Sequence, residues 1–331
     1  MLNKRSRSGY VLLAVLAVMV LMVTVLATLS KLSLRRALAA ADGQVRLQQR
    51  LGAASIEATL LPKASGVFAL LEEQSDQAWV ESETIIPIPS QIRDAVTIGG
   101  VTYDVIIADE DSKLNLNQVY HMAGNQDIQS AIGDLIGPLG VRTVRLLPAI
   151  RPMTDLLLES SSEGQTRTGS VESLDDQDDQ EADPPPVEIP RAFRSWGEVF
   201  DLSALNAAFG SDAALPNLTS NLTCWGGGGL NLRRASDASI RAAAACVLSK
   251  AGARRLVSRY RENPALSLEI LVQQEGNTES ERLRLRRMLT ETSTHFSMWI
   301  DASATARRST RAFSVMRRTE DSSIVNERFA F

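Results

Sequence analysis

Cysteine and histidine are almost missing from this chain, two of each in 331 residues. Two cysteines, Cys224 and Cys246, exclude a disulfide-built miniprotein and a four-thiolate zinc site. The histidines, His121 and His295, stand apart, and the chain has no His-Glu-x-x-His, no Gly-x-Ser-x-Gly and no neighbouring Cys-His arrangement. Catalytic constellations are therefore scarce. The glycine run Gly226 to Gly229 is not followed by Gly-Lys-Ser/Thr, so it reads as a flexible turn and not as a phosphate loop. A basic excess is also lacking: 35 Lys and Arg stand against 39 Asp and Glu, a net charge of −4, with a pI near 5.5. That balance argues against non-specific nucleic-acid binding, which needs cations to replace the counterions on phosphates.

What is present is a folding composition, 44% hydrophobic and 22% charged, long enough for one large domain or two ordinary ones with an appendage. Charge is unevenly placed. From Asp155 to Glu188 there are eleven acidic residues against one basic residue, Arg167, and removing that −10 from −4 leaves +6 on the rest. With Ser160 to Ser162 before the densest acids and Pro184 to Pro186 after them, this segment reads as a disordered linker.

Tyr10 to Leu29 contains no charge, proline or glycine. At ~1.5 Å per residue its length matches the ~30 Å hydrocarbon layer, so a membrane-spanning helix is expected. A short basic leader with Lys4, Arg5 and Arg7 precedes it. The apolar run exceeds the ~7–15 residues of a signal-peptide core, and no clear small-residue cleavage site closes it. Beyond the span, Leu34, Leu38, Ala41 and Val45, then Leu47, Leu51, Ala54, Ala58 and Leu61, recur at helical spacing. One helix from Tyr10 to Leu61 is expected, stopped by Pro62, with Gly43 and Gly52 as places to bend.

Ser8-Gly9-Tyr10, at the junction of a basic leader and an uninterrupted apolar helix, resembles the prepilin peptidase site of type IV pilins and type II secretion pseudopilins. The resemblance implies cleavage after Gly9 and a methylated Tyr10 as the mature first residue. Most such subunits carry glutamate at mature position five, where this chain has Ala14. A carboxylate in lipid is costly unless paired, and a subunit at the front of a filament has no neighbour ahead to pair with. The missing acid and the unusual length both resemble the general secretion pathway protein K family of minor pseudopilins. So does the stretch Asp109-Glu110-Asp111-Ser112-Lys113-Leu114-Asn115-Leu116-Asn117, which is partly echoed at Gly229 to Asp237. In both places an apolar-Asn alternation leads into a helix that Asn, Ser or Asp can cap.

In the body, Ser65 to Glu73 reads as a helix end or turn and Val80 to Ile88 as a strand, and Ala95 to Ile107 reads as a hairpin turning at Gly99-Gly100. Asp109, Glu110 and Asp111 read as a solvated turn, with a calcium site as the alternative. An EF-hand is excluded, because Lys113 and Tyr120 would fall at its fifth and twelfth positions. Ile189 to Tyr260 reads as helical. Cys224 and Cys246 form either a disulfide across an exported body or separate packed thiols. Ser267 to Gln274 and Thr278 to Leu289 read as helices, the second exposing Arg282, Arg284, Arg286 and Arg287. His295 to Asp301, Thr310 to Met316 and Ile324 to Phe331 read as strands.

The expected fold is α+β: a long amino-terminal transmembrane and amphipathic helix on a pilin-like antiparallel sheet, with a large inserted all-helical domain. Its divisions are a leader (1–9), the span (10–29), the exported part of the helix (30–62), the first part of the sheet (63–112), the insertion (113–265, with the acidic linker at 155–188) and the second part of the sheet (266–331). The family resemblance implies a non-enzymatic subunit at the tip of the type II secretion pseudopilus. It would sit in the bacterial inner membrane with its bulk in the periplasm. Its partners would be other minor pseudopilins, the prepilin peptidase and inner-membrane lipid, with no nucleic acid and no certain cofactor beyond possible calcium. The alternatives are a tip-like pilin of a DNA-uptake or adhesive pilus, with Arg233, Arg234 and Arg241 touching nucleic acid, and a membrane-anchored exported enzyme.

Overall fold

The computed structural model describes residues 7–82, 86–153, 189–209, 220–304, 309–318 and 323–330. The leader up to residue 6 and the acidic segment lie outside the described residues. Helix α1 runs Arg7–Leu60 without a break, 54 residues and about 80 Å at ~1.5 Å each. Pro62 does not stop it. The proline falls in a single 3-10 turn, Leu61–Lys63, whose early position needs no amide donor, and α2 (Ala64–Ser82) carries the rod onward. Val80 is therefore helical and residues 86–89 pair in no ladder, so the described residues of Val80 to Ile88 do not form the expected strand. The Ser75 hydroxyl donates to the Ile86 carbonyl at 2.8 Å and ties the returning chain to the rod.

Among the described residues the sheet has five antiparallel strands, in the spatial order Gln91–Ile98, Val101–Asp109, His295–Ser303, Ser309–Arg318 and Ser323–Ala330. β1 (Gln91–Ile98) and β2 (Val101–Asp109) form the expected hairpin; Gly99 and Gly100 supply φ of +60° and +80°, which side chains disfavour. β7 (His295–Ser303), β8 (Ser309–Arg318) and β9 (Ser323–Ala330) complete it. β2 pairs directly with β7, Tyr103 opposite Ala302 and Asp109 opposite Phe296, so everything between them is an insertion into the sheet.

That insertion is built from α3 (Leu116–Val141), α4 (Trp196–Val199), α5 (Leu202–Phe209), α6 (Asp237–Ala245), α7 (Lys250–Glu262), α8 (Leu268–Glu275) and α9 (Glu279–Met288). Two parallel bridges tie it together, β3 (Leu114–Asn115) to β4 (Leu222–Thr223) and β5 (Leu230–Asn231) to β6 (Leu289–Thr290). Leu271, Val272, Leu285 and Met288 lie in the helical core, so α8 and α9 belong with the helices and not, as the 266 boundary supposed, with the sheet.

Alternation along the strands gives the sheet two apolar faces. Tyr103, Val105, Met298, Ile300 and Met316 meet Ala53, Ile56, Leu61, Ala64 and Phe68 of the rod. Trp299, Phe313, Val315 and Phe329 instead meet the helical core, where Trp225 lies 4.9 Å from the Phe313 ring. The sheet is thus a middle layer with both faces covered.

Candidate functional site

Two features stand out: the amino-terminal rod and a buried polar junction where the insertion leaves the sheet. Every described side chain from Tyr10 to Gln44 is exposed. Across the apolar run mean hydropathy reaches 2.9 with nothing buried, and this is one helix long and apolar enough to cross a membrane. Of the expected amphipathic stripe only Val45 and Leu61 cover the sheet. Leu34, Leu38, Leu47, Leu51, Ala54 and Ala58 face outward, and the covering face is Val45, Gln49, Gly52, Ala53, Ile56, Leu60 and Leu61. Its polar members explain the misreading. Gln49 donates to the Ala302 carbonyl at 3.2 Å, and Glu57, 4% exposed, holds Arg328 of β9. Gly52 admits a close approach: a Cβ there would collide with the Tyr103 hydroxyl, which donates to the Gln48 carbonyl at 2.9 Å.

The junction follows β2. Asp109, Glu110, Asp111, Lys113, Leu114, Asn115, Leu116 and Asn117 are all buried, which overturns the solvated turn. Asp109 caps its own 3-10 turn by accepting the Asp111 amide at 2.9 Å. Its other oxygen accepts Arg234 Nη1 at 2.9 Å and Ser293 Oγ at 2.6 Å, and Arg234 Nε reaches Glu72 of α2 at 2.7 Å. Glu110 pairs with Lys113 at 2.6 Å and accepts the Ser297 hydroxyl. Asp111 accepts the amides of Gly227, Thr294 and His295 at 2.5, 2.7 and 3.0 Å.

Asn115 caps α3 through the amides of Asn117 and Gln118, and its side-chain amide donates to the Gly226 carbonyl at 2.8 Å. Asn117 donates to the Phe193 and Cys224 carbonyls at 3.1 and 2.9 Å and accepts the Phe193 amide at 2.7 Å. The glycine run is consequently a docked turn. A Cβ on Gly227 would sit 2.9 Å from His295 Nδ1, and Gly228 has φ +115°. The second apolar-Asn stretch is built like the first: Asn231 accepts the Arg233 amide at 3.0 Å, and Ser236 caps α6 through the Ser239 amide.

Burial and the neighbouring Asp111 push the Asp109 carboxyl up to about 6, against the pull of Arg234 and Ser293. Burial also works against the charge of Asp111, but its bond to His295 and the Thr294 and Gly227 amides hold it below the usual carboxylate range. These donor sets do not fit a calcium ion. The oxygens of Asp109 and Asp111 already accept protein N–H and O–H groups, Arg234 supplies the positive charge, and no cluster of three or more His, Cys, Asp or Glu among the described residues could hold a metal.

Cys224 and Cys246 carry separate thiols. Cys224 is buried and its thiol is raised well above its ordinary range by burial and by Glu110 and Glu198, whereas Cys246 donates to the Ala242 carbonyl at 3.3 Å. Arg233 and Arg234, considered for nucleic acid, are engaged with Asp76 and with the Glu72–Asp109 pair. Of the four arginines on α9, only Arg286 is exposed, and Arg284 donates to the Met122 carbonyl. Glu72, Ser293 and Thr294 complete the junction without a signal in the sequence, because their partners come from over fifty residues away, and Arg234 serves this junction in place of nucleic acid.

No protein-family model matches the chain, and no curated protein matches it. Among solved structures, a chain of the GspK–GspI–GspJ complex from the type 2 secretion system of enterotoxigenic Escherichia coli is similar over 88% of this chain and 98% of that one, at 14% identity and a TM-score of 0.39.

Proposed function

We propose that this chain is a minor pseudopilin acting at the tip of a type II secretion pseudopilus, anchored in the inner membrane with its body in the periplasm. The observation that carries the reading is the rod: Ser8-Gly9-Tyr10 opens an apolar run with no buried residue, Ala14 stands where the packing acid of a filament subunit would, and the helix continues unbroken into a sheet-covering half. The prepilin peptidase would cut after Gly9 and leave Tyr10 to be methylated. The exposed leucines at 34, 38, 47 and 51 would then meet the apolar helices of neighbouring minor pseudopilins. A bulky helical insertion suits a position above which nothing stacks. The junction acts as a structural clamp that fixes that insertion on the sheet, and every residue in it is occupied by holding another.

Affinity purification from detergent-solubilised membranes of the native host tests the assembly. The expected outcome is a stoichiometric complex with smaller subunits that each carry a Gly-aromatic junction before an apolar helix. Leu38→Glu with Leu47→Glu should disperse that complex while leaving the body folded. Recovery of the chain alone, or of an undiminished complex from the double variant, would contradict the reading.

A further inference from the structure

The hairpin of α6 and α7 is strongly cationic: Arg241, Lys250, Arg254, Arg255, Arg259 and Arg261 stand against Asp237 and Glu262. Some of that charge is spent. Arg255 and Arg259 flank the buried Glu275 at 3.4 and 3.2 Å, Arg261 pairs with Asp237 at 2.7 Å, and Glu262 accepts the Ser258 hydroxyl at 3.0 Å. Arg241 of α6 and Arg254 of α7 remain. Both are exposed, both line one groove between the helices, and neither has a partner among the described residues. Lys250 lies one turn before Arg254 on the same helix face.

A second observation concerns where the acidic segment is attached. His121, 1% exposed on α3, accepts the Met153 amide on Nδ1 at 3.0 Å, and its Nε2 meets the Pro190 carbonyl at 2.7 Å. One ring therefore holds both ends of the excursion, and the bonds select the tautomer with the proton on Nε2. Helix α3 packs directly on α6, the helix that carries Arg241. The 35 residues of 154–188, led out and back at ~3.3 Å each, could reach ~50 Å, several times the ~10 Å width of a helix. The most concentrated negative charge in the chain is thus tethered to the helix that packs against the one carrying Arg241.

We propose that the acidic segment Asp155 to Glu188 docks on the groove between α6 and α7, with its carboxylates paired to Arg241 and Arg254. The occupant is the chain's own segment, because the tether supplies it at a high effective concentration that a free acidic partner would have to overcome. Docking neutralises a cationic face that would otherwise attract anionic polymers.

Carbodiimide coupling of the full-length protein in detergent tests this, since the reagent joins Lys250 to a carboxylate only on direct contact. At ~50 mM salt the expected product is a monomer-sized species linking Lys250 to an acid between 155 and 188. Its yield should fall at least ~5-fold at ~500 mM salt, where screening is nearly complete, and likewise in the Arg241→Ser, Arg254→Ser double variant. Trypsin provides an independent readout at Arg167, the one basic residue of the segment: cleavage should be several-fold faster in the double variant at low salt and equal in both proteins at high salt. A link found only in dimer-sized species would assign the groove to a second copy. That result, or yields and cleavage rates insensitive to both salt and substitution, would overturn the proposal.

Discussion

The two halves of the amino-terminal helix both carry leucine and alanine at helical spacing and have opposite fates. From Tyr10 to Gln44 every described side chain is exposed, while between Val45 and Phe68 one face of the rod is sealed against the sheet. What differs is the partner and the detail of the face. The sealed face admits a buried glutamine, a buried glutamate and a glycine, because each meets a specific group on the sheet. The exposed half opens with the charge-free run Tyr10 to Leu29, which suits lipid and other apolar helices. Apolar periodicity alone does not tell these halves apart.

Substitutions can sharpen that contrast, and the largest effect is expected where the body is clamped. Asp109→Ala leaves Arg234, 7% exposed, without one of its two carboxylates and should cost ~3–5 kcal/mol in urea unfolding followed by tryptophan fluorescence. Phe68→Ala, on the sealed face and stacked 5.9 Å from Phe296, should cost a similar ~3–5 kcal/mol. Leu51→Ala, only a few turns away but 62% exposed, should change the unfolding free energy by less than ~0.5 kcal/mol. Equal losses for Phe68 and Leu51 would erase the division between the halves.

A finer test uses the two glycines of the rod. Gly52→Ala pushes a Cβ into Tyr103 and should cost ~1–3 kcal/mol, whereas Gly43→Ala meets nothing within 4 Å and should stabilise the helix by up to ~1 kcal/mol. Opposite signs from the same chemical change would locate where packing begins. The smallest effect is one of pH. With Asp109 raised to about 6 when folded, the folded state retains a proton that the unfolded chain releases near the ordinary value of 3.8. Its contribution is therefore full below ~4 and is lost as pH rises through ~6. Asp111, shifted the other way, loses its contribution as pH falls through its lowered value. The unfolding free energy from urea titration should decline between pH ~4 and ~6 by on the order of 1 kcal/mol, and Asp109→Asn should flatten that slope.

Much of the architecture was legible because it rests on local chemistry. Gly99-Gly100 permits the hairpin, alternating residues mark β7 and β8, and Asn115 and Ser236 cap the helices that follow them. The sealed face was misassigned because Gln49 and Glu57 read as solvent residues until Ala302 and Arg328 are placed beside them. Pro62 misled in the same way, since a proline at the start of a 3-10 turn lets a rod continue. The junction was singled out from its sequence but misread as solvated, because acids are buried only when distant donors meet them. Here those donors are Arg234, Gly227, Thr294 and His295.

Mass spectrometry of the mature amino terminus, on protein purified from its native host, tests the central claim most directly. The expected result is a chain that begins at Tyr10 with one added methyl group on its amine. An intact Met1, or a new terminus beyond Leu29, would contradict it.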